Sequence, residues 1–156
     1  MEQQTNQINE LSNKEKKKLL TAYWGIRVDS SDILNNIEIK TFLETHKELI
    51  PLTKMHSTLL FVGKKICADE IVFEPHKDKI YSLTINQFGY NDNALAIEVA
   101  NINPSVPTFA IKQHITVALK TGEKAVNSVK TLIGEGNIIT LEKPLIINGI
   151  VTKYLF

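Results

Sequence analysis

The chain is too poor in cysteine for a disulfide framework, because Cys67 is its single cysteine among 156 residues. A lone cysteine cannot form an intramolecular disulfide, and no Cys/His group has the spacing of a zinc site. The sequence therefore predicts no metal and no other cofactor. This cysteine usage favours a reducing compartment, so we expect a cytoplasmic or otherwise intracellular protein, the nucleus included.

Long apolar runs and an excess charge of one sign are also missing. No apolar stretch approaches the roughly 18–20 residues needed to span a bilayer, and residues 1–18 lack the apolar segment of a signal peptide. We therefore expect no membrane partner. The net charge of +1 argues against a broad basic face that wraps nucleic acid. It still allows a small pocket that binds one phosphate or one nucleic-acid end.

The pattern of polar and apolar residues predicts a polar arm followed by one domain. Residues 1–18 are rich in Gln, Asn, Lys and Glu and indicate a flexible arm. Residues 19–156 are long enough to bury a core, and we expect a monomer. Helices are predicted at 33–49 and 121–133, and the class is α+β. Strands are predicted at 23–28, 55–62, 81–88, 94–99, 112–119 and 137–141, with a last hairpin over 145–156 that turns at Asn148-Gly149.

Two predicted strands carry the same short pattern, Lys-x-His-x-Thr followed by apolar residues. One copy begins at Lys54 and contains His56 and Thr58, and the other runs from Lys112 through His114 to Thr116. Side chains at positions i, i+2 and i+4 of a strand share one face, so each copy should present its three polar side chains together. The duplication makes a shared site the favoured interpretation over two unrelated core pairs.

The residue types in this pattern suit acid–base chemistry on a phosphodiester. One histidine can act as a base while the other acts as an acid, because the ordinary imidazole pKa lies near 6.5. A threonine hydroxyl can donate to a phosphoryl oxygen that gains charge in the transition state, and a lysine can do the same with a full charge. We expect the remaining histidines, His46 and His76, to be surface residues.

Aromatic side chains near strand ends are candidates for stacking on a nucleobase. Tyr23, Trp24 and Tyr90 are the candidates for substrate binding, and Phe88 lies in the same predicted hairpin as Tyr90. Tyr23 and Trp24 are adjacent in a strand and point to opposite faces, so at most one of them can face a given cleft. The sequence does not select between them.

The paired segments His56-Ser57-Thr58-Leu59 and His114-Ile115-Thr116-Val117 resemble the two His-x-Thr signatures of the 2H phosphoesterase superfamily. Within it, the chain is most similar to the cyclic phosphodiesterase domain of fungal and plant tRNA ligases and to the myelin-type 2′,3′-cyclic nucleotide 3′-phosphodiesterase. The resemblance implies a two-lobed fold over residues 19–156, in which two antiparallel sheets face a central cleft and helices lie outside.

The same resemblance implies an activity and a role for each motif residue. The activity is metal-independent hydrolysis of 2′,3′-cyclic phosphates, on RNA ends or ribonucleotides, to 2′-phosphates during RNA repair, processing or tRNA splicing. His114 would activate water, His56 would protonate the leaving 3′-oxygen, and Thr58 and Thr116 would bind the non-bridging oxygens. Lys112 stands where the myelin-type enzyme has a basic residue. Because the ligases carry kinase and ligase modules that this short chain lacks, an RNA ligase or kinase is an expected partner.

Two alternatives remain open from the sequence. The same residues could serve a phosphodiesterase that degrades 2′,5′-oligoadenylate or cyclic oligonucleotide signals, as a defence antagonist. The domain could also be a non-catalytic module that binds RNA or nucleotides. The two intact histidines favour an enzyme, because a binding module does not need two proton-transfer groups.

Overall fold

The computed structural model describes residues 21–63 and 68–155. The predicted arm over residues 1–18 and Cys67 lie outside the described residues. The helices are α1 (Ser30–Leu34) and α2 (Ile37–Thr45), and two 3-10 segments span Ala68–His76 and Ala125–Leu132. The strands are β1 (Thr21–Val28), β2 (Leu49–Pro51), β3 (Met55–Phe61), β4 (Ile80–Tyr90), β5 (Ala94–Asn103), β6 (His114–Lys120) and β7 (Asn137–Leu155).

The strands form one antiparallel sheet that closes on itself. Their order is β2-β6-β3-β1-β7-β4-β5, and β5 also pairs with β6. Six strands therefore close into a barrel, and the short β2 lies outside it against β6. No helix among the described residues is long and apolar enough to cross a membrane.

The expected two-lobed α+β fold, with two sheets facing a cleft and helices outside, is wrong. The sheet is continuous because each of the six barrel strands pairs on both edges; β7, for example, pairs with β1 and β4, and β6 pairs with β3 and β5. These pairings join into one sheet the strands that were expected to form two separate lobes. The helical content is also lower than expected, since the predicted helix over 121–133 is the 3-10 segment Ala125–Leu132.

The predicted hairpin at Asn148-Gly149 is also wrong, because β7 continues through these residues. Gly149 pairs with Val28 on one side and with Tyr81 on the other. A Cβ atom at position 149 would overlap the side chain of Ile26. The close approach of β1, rather than a turn, therefore explains the glycine. Glycine inside a strand often marks such a close approach of a neighbouring chain segment.

The barrel interior is the hydrophobic core, which alternating apolar residues of the strands fill. Trp24 and Ile26 of β1, Leu83 of β4, Ile97 of β5 and Ile115 of β6 are all fully buried. Neighbouring residues in the same strands point outward. The predicted strands are thus confirmed in type, and their outward faces are available to build a site.

The helical region before β2 divides at two asparagines. α1 ends before Asn35, and α2 begins after Asn36. The side-chain oxygen of Asn36 accepts hydrogen bonds from the backbone N–H groups of Glu38 and Ile39. This is N-capping, which asparagine favours over a helix interior. The single predicted helix over 33–49 is therefore two helices.

Candidate active site

The two Lys-x-His-x-Thr segments lie side by side on β3 and β6. The register recorded between these antiparallel strands is a single pair, Ser57 with Ile115. Since both residues are fully buried, their neighbours in sequence point to the outer face. Antiparallel pairing around this point brings His56 across from Thr116. By the same register, Thr58 lies across from His114.

A cavity of about 570 Å³ lies over this crossing. Its floor contains all four motif side chains, His56, Thr58, His114 and Thr116, so the sequence-predicted groups do come together. The volume is within the range of about 300–1,000 Å³ that is typical of small-molecule sites. The walls come from the chain before β3, from the end of β3, from the loop before β6 and from the 3-10 segment after it; they include Leu52, Lys54, Leu60, Phe61, Phe109, Ala110, Ala125, Val126 and Val129.

His56 sits in an aromatic environment. Its ring centroid lies 4.9 Å from that of Tyr23 and 5.5 Å from that of Tyr154. The two tyrosine rings are stacked at 4.3 Å. Burial, and then the positive charge that His114 can carry, lower the pKa of His56 below its ordinary value of 6.5. His56 is therefore neutral near pH 7 when the cavity holds no anion.

Tyr154 packs against His56 without lining the cavity itself. Burial, reinforced by the neighbouring Tyr23 hydroxyl and opposed by Arg27, raises the pKa of Tyr154 to about 12. The hydroxyl therefore stays protonated at neutral pH. Its contribution at the site is the ring surface that covers His56.

His114 is oriented by a backbone hydrogen bond. Its Nδ1 lies 2.9 Å from the carbonyl oxygen of Lys112. Because a carbonyl oxygen can only accept, Nδ1 must carry the proton. In the neutral ring Nε2 then has a free lone pair, which is the arrangement a general base needs.

The two threonine hydroxyls have different partners. Thr116 Oγ1 lies 2.6 Å from Ser128 Oγ and 3.4 Å from the carbonyl oxygen of Ala125. Thr58 Oγ1 makes no hydrogen bond within residues 21–63 and 68–155. Thr58 is fixed through its backbone instead, since Gln113 Nε2 donates to its carbonyl oxygen at 2.7 Å.

Gln113 ties the two motifs together. Its Nε2 also donates to Ser57 Oγ at 2.7 Å. One amide group thus connects the residue before His114 to the residue between His56 and Thr58. This cross-link holds β3 and β6 in register where the catalytic candidates lie.

The two motif lysines are placed differently. Lys54 is exposed and lines the cavity. Lys112 is not a lining residue, and its Nζ makes an ion pair of 2.9 Å with Glu98 of β5. Glu98 is the cross-strand partner of His114. Lys112 is therefore committed to a neighbouring carboxylate, and Lys54 is the cation available to a ligand.

Of the predicted stacking aromatics, Tyr23 lines the cavity and the others do not. Trp24 is fully buried on the opposite face of β1, where Nε1 donates to Glu70 Oε1 at 2.9 Å. Tyr90 packs against Phe42, with ring centroids 4.5 Å apart, away from the cavity. Phe88 is a core residue.

The other two histidines are half-buried rather than fully at the surface. His46 stacks on Phe42 at 3.8 Å, and its Nδ1 contacts the carbonyl oxygen of the same residue. His76 makes a hydrogen bond with the hydroxyl of Tyr81. Neither lines the cavity.

Sequence reasoning missed several residues of the site. Phe61, Phe109 and Val126 form apolar walls and remain 74%, 49% and 73% exposed. Phe61 and Phe109 lie at a strand end and in a loop, where no periodic pattern marks them, and Val126 belongs to the apolar spacing of the helix predicted over 121–133. Ser128 is a small polar residue that shares the buried face of this segment with Thr131 and Leu132.

The arrangement supplies the parts for a proton-transfer reaction on an anion. Two imidazoles, two hydroxyls and one available lysine surround one side of the cavity, while apolar side chains form much of the rest. Among the described residues, no group of three His, Cys, Asp or Glu side chains could hold a metal ion. The carboxylate nearest in register, Glu98, is paired with Lys112.

Comparison with known proteins finds a similar fold but no similar sequence. No protein-family model matches the chain, and no curated protein matches its sequence. Among solved structures, it is similar to the crystal structure of a fungal RNA kinase, with a TM-score of 0.64 and 20% identity. The match covers 88% of this chain and 46% of that one, so the chain spans less than half the length of this neighbour. At this identity the likeness concerns the fold.

Proposed function

We propose that this protein is a phosphodiesterase of the 2H type that opens 2′,3′-cyclic phosphates on RNA ends or ribonucleotides. The observation that carries the proposal is the crossing of the two motifs at Ser57 and Ile115, which brings both histidines and both threonines to one cavity. Hydrolysis by a paired acid and base requires two proton-transfer groups at one site.

In the proposed reaction, Nε2 of His114 removes a proton from water, and the water oxygen attacks phosphorus. The bond between phosphorus and the 3′-oxygen breaks, and His56 donates its proton to that oxygen. The products are a 2′-phosphate and a free 3′-hydroxyl. The hydrogen bond from His114 Nδ1 to the carbonyl of Lys112 supports the base role, because it leaves Nε2 as the acceptor.

The acid role requires His56 to gain a proton, although burial lowers its pKa in the free protein. A bound phosphodiester carries a negative charge, and an opposite charge within a few ångströms favours the protonated imidazole. Substrate binding therefore charges the acid. Thr58 and Thr116 donate to the non-bridging oxygens, where charge grows in the transition state.

The rest of the cavity fits the remainder of a nucleotide. Tyr23, Phe61 and Phe109 offer rings near the polar floor, and aromatic rings stack on bases without regard to sequence. The structural neighbour is an RNA kinase, and its likeness in fold supports an RNA end as the substrate class. An RNA kinase or ligase is the corresponding proposed partner.

The proposal is tested by supplying three classes of substrate to the full chain: adenosine 2′,3′-cyclic monophosphate, a 2′,5′-linked diadenylate and a cyclic dinucleotide. Chromatography of the products separates them, because only opening of the cyclic phosphate gives a 2′-monophosphate without shortening a chain. We expect turnover of the first substrate. Cleavage of either of the others alone would assign the same residues to a signal-degrading enzyme, and binding without cleavage would assign a binding module.

A further inference from the structure

The two threonines of the site are not equivalent, and the difference originates in the 3-10 segment Ala125–Leu132. Thr58 Oγ1 has no hydrogen-bond partner in the described part of the chain, whereas Thr116 Oγ1 has Ser128 Oγ at 2.6 Å. Ser128 is fully buried. Its neighbours Val126 and Val129 belong to the apolar wall of the cavity.

A buried hydroxyl in an apolar wall is costly unless it is hydrogen-bonded. The hydroxyl of Ser128 has one side-chain partner in residues 21–63 and 68–155, and that partner is Thr116. The segment holds Ser128 in place from the other side too, because the hydroxyl of Thr131 donates to the Ser128 carbonyl oxygen at 2.7 Å. Ser128 is thus fixed in position and directed at Thr116.

Counting protons shows what this contact does. Each hydroxyl has one proton, and a single hydrogen bond joins the two oxygens, so one proton is shared and one is left over. If Thr116 donates to Ser128, it has no proton for a ligand. If Ser128 donates to Thr116, the proton of Thr116 is free to point into the cavity, and in the empty site the Ala125 carbonyl at 3.4 Å can accept it.

We propose that Ser128 is a positioning residue, whose hydroxyl donates to Thr116 Oγ1 and directs the Thr116 proton at a phosphoryl oxygen. This inference rests on the proposed function for the identity of the anion. An anion in the cavity selects this arrangement over the reverse one, and only the two hydroxyl hydrogens must rotate. Donation into Thr116 also polarises its O–H bond, since hydrogen bonds in a chain strengthen one another.

The consequence is an unequal pair of phosphate ligands. Thr116 is the stronger donor because Ser128 supports it, and Thr58 acts alone. A donor that strengthens as charge develops affects the transition state more than the bound substrate, so its loss lowers kcat more than it raises KM.

The test is a mutant cycle on the full chain with adenosine 2′,3′-cyclic monophosphate. Ser128→Ala should lower kcat/KM about tenfold. This is the effect expected for losing one hydrogen bond to Thr116, whose hydroxyl contacts the charged phosphoryl oxygen. In a Thr116→Val background, Ser128→Ala should have no further effect, because its target is gone. In a Thr58→Val background it should keep its full effect. Equal losses in both backgrounds would mean that Ser128 merely supports the wall and would overturn the proposal.

The matched control is Asn127→Ala, which removes the neighbouring side chain of the same segment, whose amide donates to Glu123 at 2.7 Å and does not line the cavity. It should leave kcat/KM unchanged. If Ser128→Ala does not fold, Ser128→Cys preserves the approximate shape with a weak donor, and the same cycle is run with it. Equal kcat/KM in Ser128→Cys and wild type would also overturn the proposal.

Failure of the proposed function is distinguished by binding. If the wild type does not turn over the nucleotide, inorganic phosphate is titrated and the amide shift of Thr116 is followed by nuclear magnetic resonance. The proposal then expects wild type to bind phosphate several times more tightly than Ser128→Ala. Equal affinity, or no binding by wild type, would refute the role of Ser128.

Discussion

Ser57 of β3 and Ile115 of β6 face each other inside the barrel, and this one pair fixes the geometry of the site on the outside. Because the strands are antiparallel, each histidine of the duplicated motif is set against the threonine of the other copy. The amide of Gln113 supports the pair by donating to Ser57 Oγ. A repeat that is 58 residues apart in sequence (His114 minus His56) thereby becomes a single set of groups.

Removing either histidine of this set should abolish most of the activity. His56→Ala and His114→Ala should each reduce the rate on a 2′,3′-cyclic nucleotide at least about a hundredfold, the lower end for a general acid or base. His46→Ala is the matched control, because His46 packs on Phe42 away from the cavity. Activity that persists in both site variants, with circular dichroism spectra like wild type, would exclude the proposed chemistry.

The pH dependence should identify which histidine is the base. A base acts when deprotonated, so the residual activity of His56→Ala, which keeps His114, should rise with increasing pH. An acid acts when protonated, so in His114→Ala the rate should fall as pH rises through the lowered pKa of His56. The two profiles measured as kcat/KM against pH decide the assignment, and opposite slopes would exchange the two roles.

The aromatic cover of His56 gives a prediction that needs no substrate. Burial is the main cause of its lowered pKa, and Tyr154 contributes part of the cover. Tyr154→Ala should therefore raise the pKa of His56 toward 6.5, while Tyr154→Phe, which keeps the ring, should leave it nearly unchanged. Nuclear magnetic resonance titration of the His56 ring protons measures both. An unchanged pKa in Tyr154→Ala would show that this ring does not control desolvation.

The two motif lysines should differ in their effect on substrate binding. Lys54 lines the cavity, and Lys112 is paired with Glu98. Lys54→Ala should raise KM about two- to fivefold, as expected for loss of about 0.5–1 kcal/mol from an exposed charge contact. Lys112→Ala should change KM less. Steady-state kinetics at low salt compare the KM values of the two variants. A larger increase in KM for Lys112→Ala than for Lys54→Ala would show that Lys112, rather than Lys54, contacts the substrate.

The wall that carries Ser128 is packed tightly against β4 at Gly89. A Cβ at this position would lie 2.5 Å from the carbonyl oxygen of Thr131. Gly89→Ala should therefore cost about 1–3 kcal/mol of unfolding free energy by overpacking. The exposed Asn86→Ala on the same strand serves as control and should stay close to wild type. Urea denaturation measures both, and a stability equal to wild type in Gly89→Ala would contradict the close contact.

The sequence was most informative where local chemistry decides the structure. The strand type of both motifs follows from alternation, and the spacing predicts that His56 and Thr58 share one strand face, as do His114 and Thr116. The expected site groups could be found this way because they recur. The sequence does not decide whether Tyr23 or Trp24 faces the cleft. The structure buries Trp24, whose ring stacks on that of Phe73 with centroids 5.5 Å apart.

The closed barrel could not be predicted in the same way, because it depends on pairings between distant strands. The Asn148-Gly149 dipeptide is a common turn signal, yet β1 and β4 pair with it on its two edges and make it part of one continuous strand. Likewise, the contact of Ser128 with Thr116 and the apolar wall at Phe109 arise from how loops and 3-10 segments settle on the barrel. The conformational preferences of individual residues do not predict such tertiary contacts.

The regiochemistry of the product is the most direct test of the proposed activity. The full chain is incubated with adenosine 2′,3′-cyclic monophosphate, with and without a chelator, and the product is identified by phosphorus nuclear magnetic resonance. The account predicts adenosine 2′-monophosphate in both conditions, and no product from a His56→Asn/His114→Asn double variant. Formation of the 3′-monophosphate, a requirement for added divalent metal, or equal turnover by the double variant would contradict it.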